Sequence, residues 1–407
     1  MGGAGVSTPG ERGPGIHVRM RARSTTEPHR ASSPLELLYD LIFVVAVGSL
    51  VAQLVEAIEA GRAASAILPF LFVFFAIWWA WINFTWFASA YDTDDVVYRL
   101  LIVVQMAGVL VLAAGVPAGF HDVNFVGLTI GYVIMRVGQI GLWTRAAVEY
   151  PATRATSLRY VVAVGLIQVG WVARLWLPGE VLVLGAGLAL GVLEALTPPW
   201  AQRAGDLAWH PRHIAERYGL FVIILLGESV LAAVNGLQGA LAASGVSLSL
   251  VVISLAALIL LVGLWWAYFL QDAGTGLQRR RGFSFVWGYG HYFLFVAFAA
   301  LGAGLEAAVR ASVHPHQVDA LTAGMFVAVP AALAVFLIWA LHAPLLKRPG
   351  FPGRVAVPAS VLILIAGADA PLIGVSTAVV GIAVVVAIAV AVSVAVSARR
   401  RPAAPSP

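Results

Sequence analysis

From Val379 to Val396 the chain carries no charged side chain, and Ser393 is its single polar one. A helix built from such a run has no face to offer water, and its length matches the ~20 apolar residues needed to cross a bilayer core. Ile67–Ala80 is equally free of charge. The rest of the sequence repeats the pattern, with 60% hydrophobic and 11% charged residues. The apolar residues gather in blocks rather than amphipathic stripes, which specifies an all-α integral membrane protein.

Twelve blocks read as spans: Leu35–Ile58, Ala66–Ala88, Arg99–Val116, Val123–Ala146, Leu158–Leu177, Val181–Leu196, Ile214–Val234, Ser247–Leu270, Phe283–Val309, Val318–Leu341, Val355–Ala368 and Leu372–Ser397. The sixth is short and the eleventh shorter still. With the N-terminus inside, the outer segments hold only Arg62, Arg174 and Arg310, while Arg279, Arg280, Arg281, Lys347, Arg348, Arg399, Arg400, Arg401 and most other basic residues are cytoplasmic. That asymmetry obeys the positive-inside rule and puts both termini in the cytoplasm, at the inner membrane. Deleting the eleventh span alone would carry Arg399–Arg401 outside; losing two spans together keeps the parity, so ten is the alternative count.

Residues 1–32, rich in Gly, Arg, Ser and Pro, read as a disordered cytoplasmic tail without the short apolar core of a secretory signal. A cytoplasmic linker over 198–213 and a basic tail over 398–407 complete the division. The absence of cysteine excludes disulfides, thiolate metal sites and cysteine nucleophiles. The net charge of +5 is explained by topology, since the basic residues cluster at the ends of apolar blocks, so no nucleic-acid partner is expected. No P-loop, Rossmann glycine pattern, nucleophile elbow or zinc-protease motif is present. The expectation is therefore no enzyme and no cofactor, with the lipid bilayer and an undefined small solute or ion as partners. Oligomeric state is not legible.

Tyr39-Asp40-Leu41-Ile42 with Gly48 in the first span aligns without gaps on Tyr218-Gly219-Leu220-Phe221 with Gly227 in the seventh. Trp78-Trp79-Ala80-Trp81 in the second matches Trp265-Trp266-Ala267-Tyr268 in the eighth. The same landmarks six spans apart suggest a duplication into two six-helix halves, 33–197 and 214–397. Six being even, the halves would share one orientation, an arrangement in which transporters place their substrate near mid-membrane.

Ser33-Pro34-Leu35-Glu36-Leu37-Leu38-Tyr39-Asp40-Leu41-Ile42-Phe43-Val44, Glu216-Arg217-Tyr218-Gly219-Leu220-Phe221 and Leu226-Gly227-Glu228-Ser229 together resemble the bacterial low temperature requirement protein A family. The resemblance covers about Ser33 to His342, with Tyr39 standing where the family has phenylalanine. It implies a polytopic membrane protein named for a cold-growth phenotype and carries no biochemical activity with it.

Among the polar residues, Glu228 is the most conspicuous. It lies about 11 residues beyond Arg217, ~16 Å along the helix and near half the core thickness, where an acid costs ~2.5–3.5 kcal/mol to insert. Gly227 beside it would admit a close backbone. Arg136, in the fourth span, reaches a similar depth, and the expectation is that Arg136 and Glu228 pair. Glu36 belongs to a Ser33–Glu36 capping box with Pro34 at the first helical position. Asp40, one turn deeper, is either a site residue or an ion-pair partner for an arginine at the cytoplasmic end. His291 is either part of a proton relay beside a carboxylate or a packing histidine bonded to a carbonyl. Gln105, Asn83, Gln139 and Gln168 read as interhelical hydrogen-bonding groups, and the paired tryptophans as packing or interface residues. Asp92, Asp94 and Asp95 read as a solvated acidic turn. His210 with His213, and His314 with His316, lack the further ligands a metal site needs.

These residues favour a secondary transporter or permease, coupled to protons through a carboxylate, with Glu228, Arg136, Asp40 and His291 on its pathway. The alternatives are an ion channel lined by the same positions, and a non-transporting protein of cold or stress adaptation whose buried ions only fix helix register.

Overall fold

The structure, a computed structural model, describes residues 15–23, 31–122, 124–313 and 318–399. Its helices are α1 (Pro34–Glu59), α2 (Ala63–Ala90), α3 (Val96–His121), α4 (Val126–Glu149), α5 (Arg154–Ala173), α6 (Glu180–Ala201), α7 (Pro211–Ser244), α8 (Leu248–Phe269), α9 (Ala273–Arg279), α10 (Ser284–Val313), α11 (Ala320–His342), α12 (Gly353–Ala368), α13 (Ala370–Ile373) and α14 (Val375–Ala398). Each of the twelve apolar blocks is a helix. Among the described residues, eleven helices are long and apolar enough to cross a membrane. The remaining block, α12, has 16 residues, ~24 Å against a core of ~30 Å. The short α9 has no counterpart among the blocks, and α13 overlaps the first two residues of the twelfth. Both are too brief to show an apolar period.

The described residues fall into two compact units. The first takes its residues from Met1–Pro28, Ile82–Leu112 and Phe125–His210, the second from His29–Trp81, Ala113–Asn124 and Pro211–Pro407. This is a different partition from the two halves suggested by the repeat.

In the second unit α10 is the central helix and is buried over nearly all of its length. Its sequence explains this, since Ala299, Gly302, Ala303, Gly304, Ala307 and Ala308 leave room for neighbouring backbones. A Cβ on Gly302 would lie 3.1 Å from Ser229 Cα of α7, and one on Gly304 would strike the Phe326 backbone of α11. In the first unit glycines on both partners do the same: Gly108 and Gly131 bring α3 and α4 together, where a Cβ on either would meet the other helix's backbone. The outer face of α6 exposes Leu182, Leu188, Val192, Leu193 and Leu196, a stripe suited to lipid tails.

The disordered tail expected over residues 1–32 lies partly outside the described residues. Of its described residues, 15–23 are tied to the first unit. Arg21–Ala22 pairs antiparallel with Tyr91–Asp92, and Met20 is fully buried. The Val18 N–H donates to Asp95 Oδ2 at 2.6 Å and the Met20 N–H to Glu149 Oε2 at 2.6 Å. Composition argued for disorder because the segment has few apolar residues, but two carboxylates, the buried Asp95 and the half-buried Glu149, bind its backbone. His314 and His316 lie outside the described residues.

Candidate functional site

Three buried polar groupings lie along the helices. In the second unit the first lies where α1 and α7 begin. Ser33 and Glu36 form the expected capping box, with the Ser33 N–H 2.7 Å from Glu36 Oε2 and the Glu36 N–H 3.2 Å from Ser33 Oγ. Glu36 also faces His213 Nε2 at 3.2 Å. One turn deeper, Asp40 Oδ1 accepts from Arg217 Nη2 at 2.6 Å and from Trp81 Nε1 at 2.7 Å. Both members of this pair are buried, Asp40 at 1% and Arg217 at 0% exposure. Asp40 therefore has the arginine partner that its depth suggested.

The next level along the same two helices is aromatic. Trp81 stacks on Phe221 with ring centroids 4.3 Å apart, and Phe295 closes on both at 5.9 and 5.0 Å. Phe43 of α1 is fully buried one turn beyond Asp40.

Beyond that layer stands Glu228, seventeen residues into α7, ~26 Å from its start. It is 6% exposed and has neither hydrogen bond nor ion pair among the described residues. Its carboxylate lies over Gly48 of α1, where a Cβ would come within 2.7 Å of Glu228 Oε1. The close approach expected at Gly227 is absent, since nothing lies within 4 Å of a Cβ built there. The glycine that makes room is on the partner helix. The charge acting on Glu228 is another carboxylate, Glu306 of α10. Glu306 is itself bonded to Arg310, which also reaches Glu59 Oε1 at 2.7 Å.

His291 sits among rings rather than acids. Its Nδ1 is 2.7 Å from the Trp287 carbonyl and its Nε2 3.2 Å from the Tyr268 hydroxyl, with His342 5.9 Å away centroid to centroid. Of its two readings, the carbonyl-bonded packing histidine matches this geometry.

The third grouping is in the first unit and corrects the expected partner of Arg136. Arg136 Nη2 donates to Glu194 Oε2 of α6 at 3.0 Å, and both side chains are 1% exposed. Tyr132 and Gln139, at i−4 and i+3 on the same face of α4, also accept from the guanidinium. Gln168 Nε2 of α5 donates to Glu194 Oε1 at 3.1 Å, as an interhelical glutamine should. Arg136 thus pairs with Glu194 and not with Glu228. Glu194 lies 14 residues into α6 and Arg136 ten into α4, ~21 and ~15 Å respectively, so depth alone fits this pair. The nearby Pro198, Pro199 and Trp200 made Glu194 look like the end of a span.

The acidic turn before α3 divides. Asp94 is solvent-exposed and bonds Arg99, as a solvated loop residue does. Asp95 is instead fully buried and caps α3, accepting from the Tyr98 N–H at 2.8 Å. Arg145 reaches both its oxygens, at 2.7 and 2.5 Å. Burial alone would raise its pKa, but the bonds from Arg145, Tyr98 and Val18 outweigh that and hold it down at about 2. Among the described residues no three histidine or acidic side chains converge to hold a metal ion.

The family model described as bacterial low temperature requirement A protein (LtrA) matches residues 31–394. The chain belongs to the LtrA family. It is similar to the uncharacterized protein RA0937 of Rhizobium meliloti (strain 1021), at 28% identity over 320 residues that cover 74% of each chain. No solved structure matches it. Within the LtrA match lie all three buried groupings, whereas the strap of residues 15–23 precedes it.

Proposed function

We propose that this LtrA protein is a secondary transporter or permease of the inner membrane in which Glu228 is the proton-binding carboxylate. The carrying observation is that carboxylate, buried halfway along α7 with no cation bonded to it among the described residues and with the Glu306 carboxylate near enough to repel its charge. Two acids that share a low-dielectric site are not both ionised at low cost, and Arg310 already neutralises Glu306. Glu228 is left to take a proton or to be exposed to water, and a group that alternates between those states is what proton coupling requires. Asp40 and Arg217 form a charged level on the other side of the Trp81–Phe221–Phe295 layer, and Trp81 bonds Asp40 directly. A change at Asp40 therefore acts on the layer itself, which gives the pathway a closed door. The topology in this reading has twelve spans with α12 as the short one, both termini in the cytoplasm and two like-oriented halves.

The test needs no substrate. Protein reconstituted in liposomes and adsorbed to a solid-supported membrane should give a transient charge displacement on a pH jump. Glu228→Gln should abolish it while helical content and melting temperature are kept. An undiminished transient in that variant would sink the proposal, and steady single-channel currents would favour a channel instead. The completed Arg136–Glu194 pair favours a second reading for the first unit, in which its ions fix helix register rather than carry solute.

A further inference from the structure

At the end of the second unit where α7 begins and where α8 and α11 finish, a pocket of about 290 Å³ is lined by Arg212, Glu216, Tyr268, Gln271, Asp272 and His342. Its size suits a small metabolite. The histidine is the informative residue. His342 is fully buried, and its Nδ1 is 2.8 Å from the Ile338 carbonyl oxygen. A carbonyl only accepts, so Nδ1 carries the hydrogen, and in the neutral ring Nε2 is a bare acceptor. Among the described residues nothing donates to it. The corresponding nitrogen of His291 shows the contrast, since it is met by the Tyr268 hydroxyl at 3.2 Å. A buried acceptor left empty is costly, and it asks for a donor from within the pocket.

The remaining groups define what kind of donor. Glu216 accepts the Ser32 N–H at 2.9 Å through Oε1, and Asp272 caps α9 by accepting the Thr275 N–H at 3.0 Å through Oδ1. Each carboxylate keeps its second oxygen without a donor among the described residues. Gln271 is committed to the backbone, at Phe351 and Gly350. Arg212 supplies one positive charge against these two negative ones, and it is exposed. The pocket therefore combines a net negative wall with a lining histidine whose buried Nε2 lacks a donor among the described residues.

We propose that this pocket binds a small primary ammonium compound, whose N–H groups donate to His342 Nε2 while Glu216 and Asp272 balance its charge. The site is separate from Glu228, and it stands or falls independently of proton coupling there.

The experiment uses the full chain in phosphatidylcholine nanodiscs at neutral pH, with ethanolamine as probe and acetate as its anionic counterpart, followed by calorimetry. Wild type should bind ethanolamine at one saturable site and acetate not measurably. His342→Phe, which fills the space but removes the acceptor, should weaken binding by about tenfold or more. His342→Gln keeps an acceptor and should restore most of it. Should His342→Phe fail to fold, the double variant Glu216→Gln with Asp272→Asn, which preserves the α9 cap, should give the same loss. Absence of saturable ethanolamine binding to wild type, equal binding of acetate, or undiminished binding in both the histidine and the double carboxamide variants would overturn the assignment.

Discussion

Glu194 and Glu228 are both buried near the middle of apolar helices, yet their surroundings give them opposite roles. Glu194 completes a pair with Arg136, so neutralising it leaves an arginine uncompensated at 1% exposure. The cost of breaking a buried pair from one side is ~3–5 kcal/mol. Among the described residues Glu228 has no such partner, and replacing it by glutamine removes a charge that none of them balances. Thermal unfolding in detergent should therefore show a large loss for Glu194→Gln and little change or a gain for Glu228→Gln; the reverse order would mean that the roles are exchanged. The sequence made Glu228, Arg136 and Asp40 visible because ions in apolar runs stand out, and their depths could be counted. It did not reveal which acid meets which base. Read as Val181–Leu196, the sixth span put Glu194 two residues from its end, and only the longer α6, Glu180–Ala201, together with lateral packing sets it beside Arg136. Nor did it expose His342, which ends a span just as an ordinary interfacial residue would.

At the scale of helices, the twelve apolar blocks were legible because hydrophobic length is a direct consequence of bilayer thickness. Neighbour relations were not, because lipid-facing and protein-facing sides of such helices are equally apolar. What selects the neighbours is the placement of small residues, and this can be measured. A Cβ on Gly304 of α10 would run into the Phe326 backbone, which cannot yield as a side-chain tip can. Gly239 of α7 has nothing within 4 Å of its Cβ position. Gly304→Ala should lower the melting temperature, while Gly239→Ala should leave it unchanged or raise stability by up to ~1 kcal/mol through the helix propensity of alanine. Equal effects at the two positions would show that α10 is not held by close backbone contact. The strap of residues 15–23 illustrates the opposite limit. Its own residues promise little structure, and its order comes from Asp95 and Glu149, far away in sequence.

For the molecule as a whole, orientation follows from where the basic residues fall, and the chain offers an unusually clean way to check it. It contains no cysteine, so a single introduced thiol reports without background. Leu177→Cys, at an exposed position between α5 and α6, should react with a membrane-impermeant maleimide from outside the cell. Gln278→Cys, exposed on α9, should react only after permeabilisation. The opposite pattern would invert the proposed topology. The aromatic layer of Trp81, Phe221 and Phe295 has an electrical consequence too. An insulator this thin between two charged levels concentrates the membrane voltage wherever water reaches the acids on either side. At 100 mV, one elementary charge carried through the whole potential exchanges about 2.3 kcal/mol. Those three rings would then occupy the steepest part of the field, and the occupancy of the proton at Glu228 would answer to voltage as well as to acidity.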